Sequence, residues 1–251
     1  MKKAINIVSF AFLLIASPFI SKGQVADHGA IFSFFGGGSY NFSPRIQDQL
    51  SQSKYVGSGI QLSGIAVTYG GGITIMAHSG LVVGINGYGY GLSTSGANGD
   101  VTEKTGAGIL DFGYVSKKRK KMMSYPFIGV GGYGTKFVYT NTTSKDIKIG
   151  SAPTKPGMTT PFSTGGFAFE LGYSFKYFAF NMEKHKSSKR YGAVLGVDAG
   201  CQYYMAMGKW RNMLERNLIG DFARPLILSP YVRVTIGIAD LSTKIWSKNV
   251  M

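Results

Sequence analysis

From position 164 to 180, Phe167, Phe169, Leu171, Tyr173, Phe175 and Tyr177 occupy one parity, and Gly166, Ala168, Glu170, Gly172, Ser174 and Lys176 the other. A period of two sustained over this length marks a β-strand, because successive side chains leave opposite faces. The stretch 190–207 repeats it, with Tyr191, Ala193, Leu195, Val197, Ala199, Cys201 and Tyr203 against Gly192, Gly196, Asp198, Gly200 and Gln202. Over 229–240, Val232, Val234, Ile236 and Ile238 alternate with Arg233, Thr235 and Gly237. Less regular segments at 30–42, 60–78, 81–94, 105–116 and 122–140 bring the predicted count to eight strands. The apolar parity shifts between Leu62 and Ile65, which predicts a bulge near Ser63 and Gly64.

The polarity of the two faces is reversed from that of a soluble sandwich. The polar parity is rich in Gly, Ala and Ser with a few isolated charges, whereas a solvated face carries many charged residues. The apolar parity is broad and aromatic, as a lipid-facing wall is. The connections agree with a barrel that has both termini on one side. Long connections at 43–59, 95–104, 141–163 and 208–228 alternate with short ones at 79–80, 117–121 and 181–189. Outer-membrane barrels place long loops outside and short turns in the periplasm. The pattern therefore predicts an all-β, eight-stranded, antiparallel up-and-down transmembrane barrel with both mature termini periplasmic. Strands beyond the roughly 9 to 11 residues that cross a bilayer imply a wall projecting past the membrane.

The N-terminus changes the compartment. Lys2 and Lys3, the apolar run 4–16 and the small residues Ser21 and Gly23 have the pattern of a cleaved export signal over 1–23. Ser17 and Pro18 interrupt the run before the roughly 20 residues of a membrane anchor. The barrel is expected over 24–240, with a short tail over 241–251. Removing the signal leaves 24 basic against 12 acidic residues, a net charge of +12. Export makes anionic lipid or polysaccharide a better partner for that charge than nucleic acid. Cys201 is the single cysteine, so no intrachain disulfide forms. Glycine, at 36 residues of 251, is about twice its average usage and fits closely approaching strands.

These segments resemble the small outer-membrane barrels of the opacity-protein and OmpA/OmpX type, over nearly the whole chain from Ala30 to Asp240. The Gln24 start and the Gly- and aromatic-rich strands are similar to barrels of the Bacteroidetes group. The resemblance implies membrane insertion and leaves the activity open, since such barrels host adhesins, stress barrels, enzymes and secretion accessories. One departure is the C-terminus: many members end on an aromatic residue, whereas this chain ends in Val250 and Met251.

The polar parities place Asp111, Glu170, Lys176, Asp198 and Arg233 on the inner face. An eight-stranded barrel is just wide enough to be filled by side chains, and a charge there needs a partner, so the expected role is an ion-pair plug of the lumen. A gated ion path is the alternative. Lys117, Lys118, Arg119, Lys120 and Lys121 form one basic turn, and Lys184, Lys186, Lys189 and Arg190 another; both are expected at the periplasmic rim, anchoring to lipid head groups or meeting a periplasmic partner. Lys209, Trp210 and Arg211, with Met213, Leu214 and Leu218, are expected to form a short amphipathic helix in the last outer loop, either as contact candidates or as a cap that covers the barrel mouth.

Other motifs carry no chemistry. His78 and Ser79 suggest a lipid hydrolase, but they fall in an inner turn, as does His185, and His28 precedes the first strand. No histidine stands where an outer-leaflet reaction needs its base. No metal site or cofactor is expected from three scattered histidines and one cysteine. Gly129, Gly131 and Gly134 match a dinucleotide fingerprint, but strand continues after them where a helix is required. Gly208-Lys209-Trp210 imitates a lipocalin signature in the wrong strand. The expected function is a non-enzymatic outer-membrane barrel with a narrow, plugged lumen, acting as an envelope component or binding partners through its extracellular loops. The alternatives are an accessory barrel of a secretion or surface-motility system docking periplasmic proteins, a lipid-modifying enzyme, and a small ion channel.

Overall fold

The computed structural model describes residues 28–46, 48, 62–119, 122–149, 151–179, 182–183, 189–219 and 222–242. The export signal, the tail beyond Ser242, and Lys120, Lys121, Lys184, Lys186 and His185 lie outside the described residues.

Eight long strands follow the alternation: β1 (His28–Asn41), β2 (Gly64–Met76), β3 (Leu81–Gly96), β4 (Gly99–Tyr114), β5 (Met122–Asn141), β6 (Thr159–Phe178), β7 (Lys189–Ala206) and β8 (Leu226–Ser242). Each pairs antiparallel with the next, and β8 pairs back onto β1, closing a barrel. The register runs without a break. Followed once around, it leads from Gly29 through Met76, Val82, Gly113, Phe127, Gly172, Gly200 and Tyr231 back to Ser39 of β1. That return is ten residues from its start, so the barrel has a shear of 10 and strands tilted by about 40°.

The polarity is inside out. Phe34, Ile65, Ile85, Ile128, Phe167, Val232 and Ile238 are exposed on the outer wall, while Ser33, Thr74, Thr135, Ser174 and Thr235 are buried inside. Water would not tolerate such an exterior as the surface of a soluble monomer. Lipid would.

His28 pairs with Ser242, so both ends of the described chain reach the same rim. At that rim the connections are 77–80, 115–121 and 179–188; at the opposite rim, labelled outer for reference, they are 42–63, 97–98, 142–158 and 207–225.

Four expectations are corrected. The second outer connection is a two-residue turn at Ala97 and Asn98, because β3 and β4 stay paired through Ser95–Asp100 and Gly96–Gly99. Past the apolar belt both faces carry polar residues, so the hydrophobic period fades while the ladder continues. There is no bulge at Ser63 and Gly64: β2 begins at Gly64, and Leu62 is buried at the outer end of the barrel. The last strand runs to Ser242, two residues into the expected tail. The expected helix around Lys209, Trp210 and Arg211 is a hairpin, in which Trp210–Asn212 pairs with Leu218–Ile219 and extends the sheet beside β6. Trp210, Asn212 and Ile219 turn inward on it while Arg211 and Leu218 turn outward, a period of two in place of a helical stripe.

Candidate functional site: the filled lumen and its outer cap

The inner face is stacked in layers. Nearest the chain ends, Ile31, Met76, Val82, Met123, Phe178, Val194, Ala239 and Leu241 form an apolar floor. Above it lie the five charged residues that parity assigns to the lumen, all buried.

Asp198 of β7 and Arg233 of β8 are direct neighbours in the register, yet they do not pair with each other. Arg233 reaches Glu170 of β6, and Asp198 takes Lys176, whose Nζ lies 2.9 Å from both carboxylate oxygens. Each carboxylate is saturated by further donors. Glu170 accepts from the Tyr231 hydroxyl and from Gln202 Nε2 at 3.1 Å, and Gln202 in turn accepts from Tyr204 at 2.7 Å. Thr235 Oγ1 donates to Asp198 at 2.6 Å and accepts from Lys176 at 3.0 Å. The guanidinium of Arg233 is enclosed by the rings of Tyr231 at 3.9 Å, Phe35 at 4.6 Å and Tyr88 at 5.3 Å, within the range of cation–π attraction.

Glycine makes the room. A Cβ on Gly196 would stand 2.5 Å from Lys176 Cδ, and one on Gly200 would stand 2.8 Å from the Tyr231 hydroxyl. The inward glycines of β7 are therefore the complement of the long side chains on β6 and β8.

Asp111 is the odd charge. Asn86 donates to its Oδ2, while Oδ1 has no partner among the described residues. Two cations face three carboxylates in this layer. A cavity of about 30 Å³ lies between Asn86, Asp111, Lys176, Asp198 and Arg233, enough for a water or two and far from a passage.

Farther out, Phe35, Tyr88, Tyr90, Ile109, Tyr133, Tyr204 and Ile227 form an aromatic layer. Glu103, buried above it, accepts from Tyr90 at 3.2 Å. The outer mouth is closed by a cap drawn largely from the connections: Ile46, Leu62, Ile147, Ile149, Ala152, Trp210, Ile219 and Phe222 meet Val101, Phe137, Tyr139 and Phe162 of the strands. Trp210 and Phe222 have ring centroids 5.5 Å apart, and Trp210 Nε1 donates to the Ala223 carbonyl at 2.7 Å. Of the two roles expected for the segment, contact or cap, Trp210 takes the cap. Trp210 is 1% exposed and belongs to the cap, while Lys209 and Arg211 are exposed beside it.

The remaining candidates lie apart from the lumen. Lys117–Arg119 forms a short strand paired with the start of β5 at the rim that holds the chain ends, and Lys189 and Arg190 begin β7 at the same rim. The His28 and His78 rings stack there at 4.1 Å. Among the described residues no group of three His, Cys, Asp or Glu is arranged to hold a metal. Within the dinucleotide-like run, Gly129 and Gly131 face inward, where a Cβ would collide with Asp111 and with the Gly108 carbonyl, while Gly132 and Gly134 face outward, where a Cβ would meet no close contact. Glu103, Asn86, Gln202, Tyr231 and Thr235 are lumen residues that charge counting overlooked. All share the inward parity of the five charges, which is the signal that finds them.

A closed eight-stranded antiparallel barrel with an apolar exterior is the form of the small outer-membrane barrels. No protein-family model and no curated protein sequence matches the chain. Among solved structures it is similar to Ail, the attachment invasion locus protein of Yersinia pestis, with a TM-score of 0.44 and 11% identity over 85% of this chain and 99% of that one. It is also similar to Neisserial surface protein A (TM-score 0.38, 9% identity, 84% and 95% covered). A third is outer membrane protein OprG from Pseudomonas aeruginosa (TM-score 0.34, 13% identity, 89% and 99% covered).

Proposed function

We propose that the protein is a non-enzymatic outer-membrane barrel with a closed lumen, an envelope component that meets other molecules through its outer rim. The observation that carries this reading is the continuous filling of the inner face. An apolar floor, a paired charged layer, an aromatic layer and an apolar cap follow one another from rim to rim. A lumen occupied in this way offers neither a water-lined route nor a substrate cleft, and four of the five charges in its layer are consumed in two ion pairs, with Asp111 held by Asn86. The surfaces left for binding are those outside the barrel: the cap with Lys209 and Arg211, and the basic rim around Lys117–Arg119.

The described histidines favour the same reading. His28 and His78 stand at the rim of the chain ends, opposite the cap, so an outer-leaflet reaction lacks its base. Both mature termini are periplasmic, and the capped rim is extracellular. Protease shaving of intact cells, with a heat-modifiable gel shift to verify the folded barrel, tests the placement. Cleavage within 142–158 or 207–225 and none within 115–121 is expected; cleavage within 115–121 on intact cells would reverse the orientation.

A further inference from the structure

On β3, β4 and β5 the outward positions next to the outer rim carry glycine, a strip continued by Gly71 of β2 and Gly165 of β6, where β8 and the half of the wall nearer the chain ends carry large apolar side chains. Gly87 and Gly89 of β3 pair with Gly108 and Gly106 of β4, and these pair with Gly132 and Gly134 of β5. Their chain neighbours Tyr88, Tyr90, Thr105, Ile109, Tyr133 and Thr135 are buried in the lumen, so the glycines face out. Backbone and packing require glycine at none of these six positions but Gly89, where a Cβ would stand 3.2 Å from the Thr105 carbonyl oxygen. None of the six has a positive φ, and a Cβ placed on Gly87, Gly108 or Gly134 meets nothing within 4 Å. On Gly106 and Gly132 it would make ordinary contact at 3.9 and 3.7 Å. A glycine inside a strand weakens it and marks a place where a ligand or another backbone comes close. The result is a strip of bare backbone on the lipid-facing wall, bordered by Tyr69, Leu110, Val130 and Phe167.

The next outward residues toward the rim are Lys104 and Lys136, directly opposite one another across β4 and β5. Both are exposed, and among the described residues neither has an acidic partner. Like charges opposed across a ladder destabilise it unless an anion lies between them. Arg211 continues the row beyond Ser163. Lys104 stands ten residues along β4 from Tyr114, which at the rise and tilt of these strands is about 24 Å, close to the ~25 Å height of an outer-membrane apolar band. The lysines thus meet the outer head-group layer, and the glycine strip lies at the depth of the acyl chains just beneath it.

We infer that this face is a binding site for a phosphorylated lipid, whose phosphate is held between Lys104 and Lys136 and whose acyl chains lie along the glycine strip. A chain seated there touches backbone that side chains would otherwise hold away, and the phosphate relieves the repulsion of the two ammonium groups. The inference rests on the outer-membrane reading above.

The test uses the full mature chain in phosphatidylcholine nanodiscs doped with a diphosphorylated acylated glucosamine disaccharide or its dephosphorylated counterpart, and native mass spectrometry reads the lipid retained. The wild type is expected to retain the phosphorylated form selectively. K104Q/K136Q is expected to lower that retention about thirtyfold. G108V/G134V, which fills the strip where a Cβ has free space, is expected to lower retention of both forms. Equal retention by wild type and K104Q/K136Q, or displacement of the lipid by an equal concentration of inorganic phosphate, would overturn the inference. So would a glycine variant that keeps its lipid but changes from dimer to monomer, since that outcome assigns the strip to a second barrel. A heat-modifiable gel shift in every variant separates these outcomes from failure to fold; its absence in the wild type would instead remove the barrel reading itself.

Discussion

The charged layer and the outer cap fill the same lumen with opposite chemistry. In the layer, Glu170 with Arg233 and Asp198 with Lys176 are held by hydrogen bonds that tie β6, β7 and β8 together, so each side chain is fixed by several partners at once. In the cap, Trp210, Phe137, Phe162 and Phe222 are held mainly by contact area, with ring centroids about 6 Å apart and one side-chain hydrogen bond from Trp210, and the connections that supply half of them are tied to the barrel by few ladder bonds. Loss of a partner in the layer strands a charge. Loss of a ring in the cap leaves a void into which the connections, held by few ladder bonds, can settle.

The largest effect is therefore expected from Arg233→Met, which leaves Glu170 buried and unpaired and costs about 3 to 5 kcal/mol in urea unfolding from liposomes. The double variant R233M/E170L is expected to recover most of that loss; a double variant as unstable as the single would mean that packing, and not charge, sets the cost. Next comes Trp210→Ala, expected to cost about 3 kcal/mol locally through the cavity it opens. Its signature is faster protease cleavage within 207–225 with little change in the unfolding midpoint of the barrel. A matching drop in both would show that cap and barrel unfold as one unit. Thr235→Val removes a hydrogen bond to Asp198 and is expected to cost about 1 to 2 kcal/mol in the same unfolding assay. The smallest effect belongs to K209E/R211E on the exposed side of the cap, within about 0.5 kcal/mol of wild type.

The same contrast explains what could be read from the sequence. The layer was legible because the bilayer imposes alternation: wherever lipid faces one parity, an isolated charge on the other parity must be inside. Asp111, Glu170, Lys176, Asp198 and Arg233 follow from that alone. The pairing did not follow, because a Lys176 that stretches past Gly196 depends on the stagger between strands, which parity leaves undetermined. The cap was hidden for a different reason. Beyond the membrane the outward face is polar too, so Glu103 fell into an expected loop and Trp210 into an expected helix, although both sit on two-residue periods. Leu62 imitated a bulge because its side chain turns into the cap while the next apolar residue, Ile65, faces out.

The closed lumen is the claim on which the functional reading depends, and planar-bilayer recording of the refolded full chain tests it most directly. Wild-type protein is expected to add no steady conductance above that of the bare membrane, and removal of the cap by Trp210→Ala is expected to leave that result unchanged, since the charged layer and the apolar floor still close the barrel. A stable ohmic channel from the wild type would contradict the account.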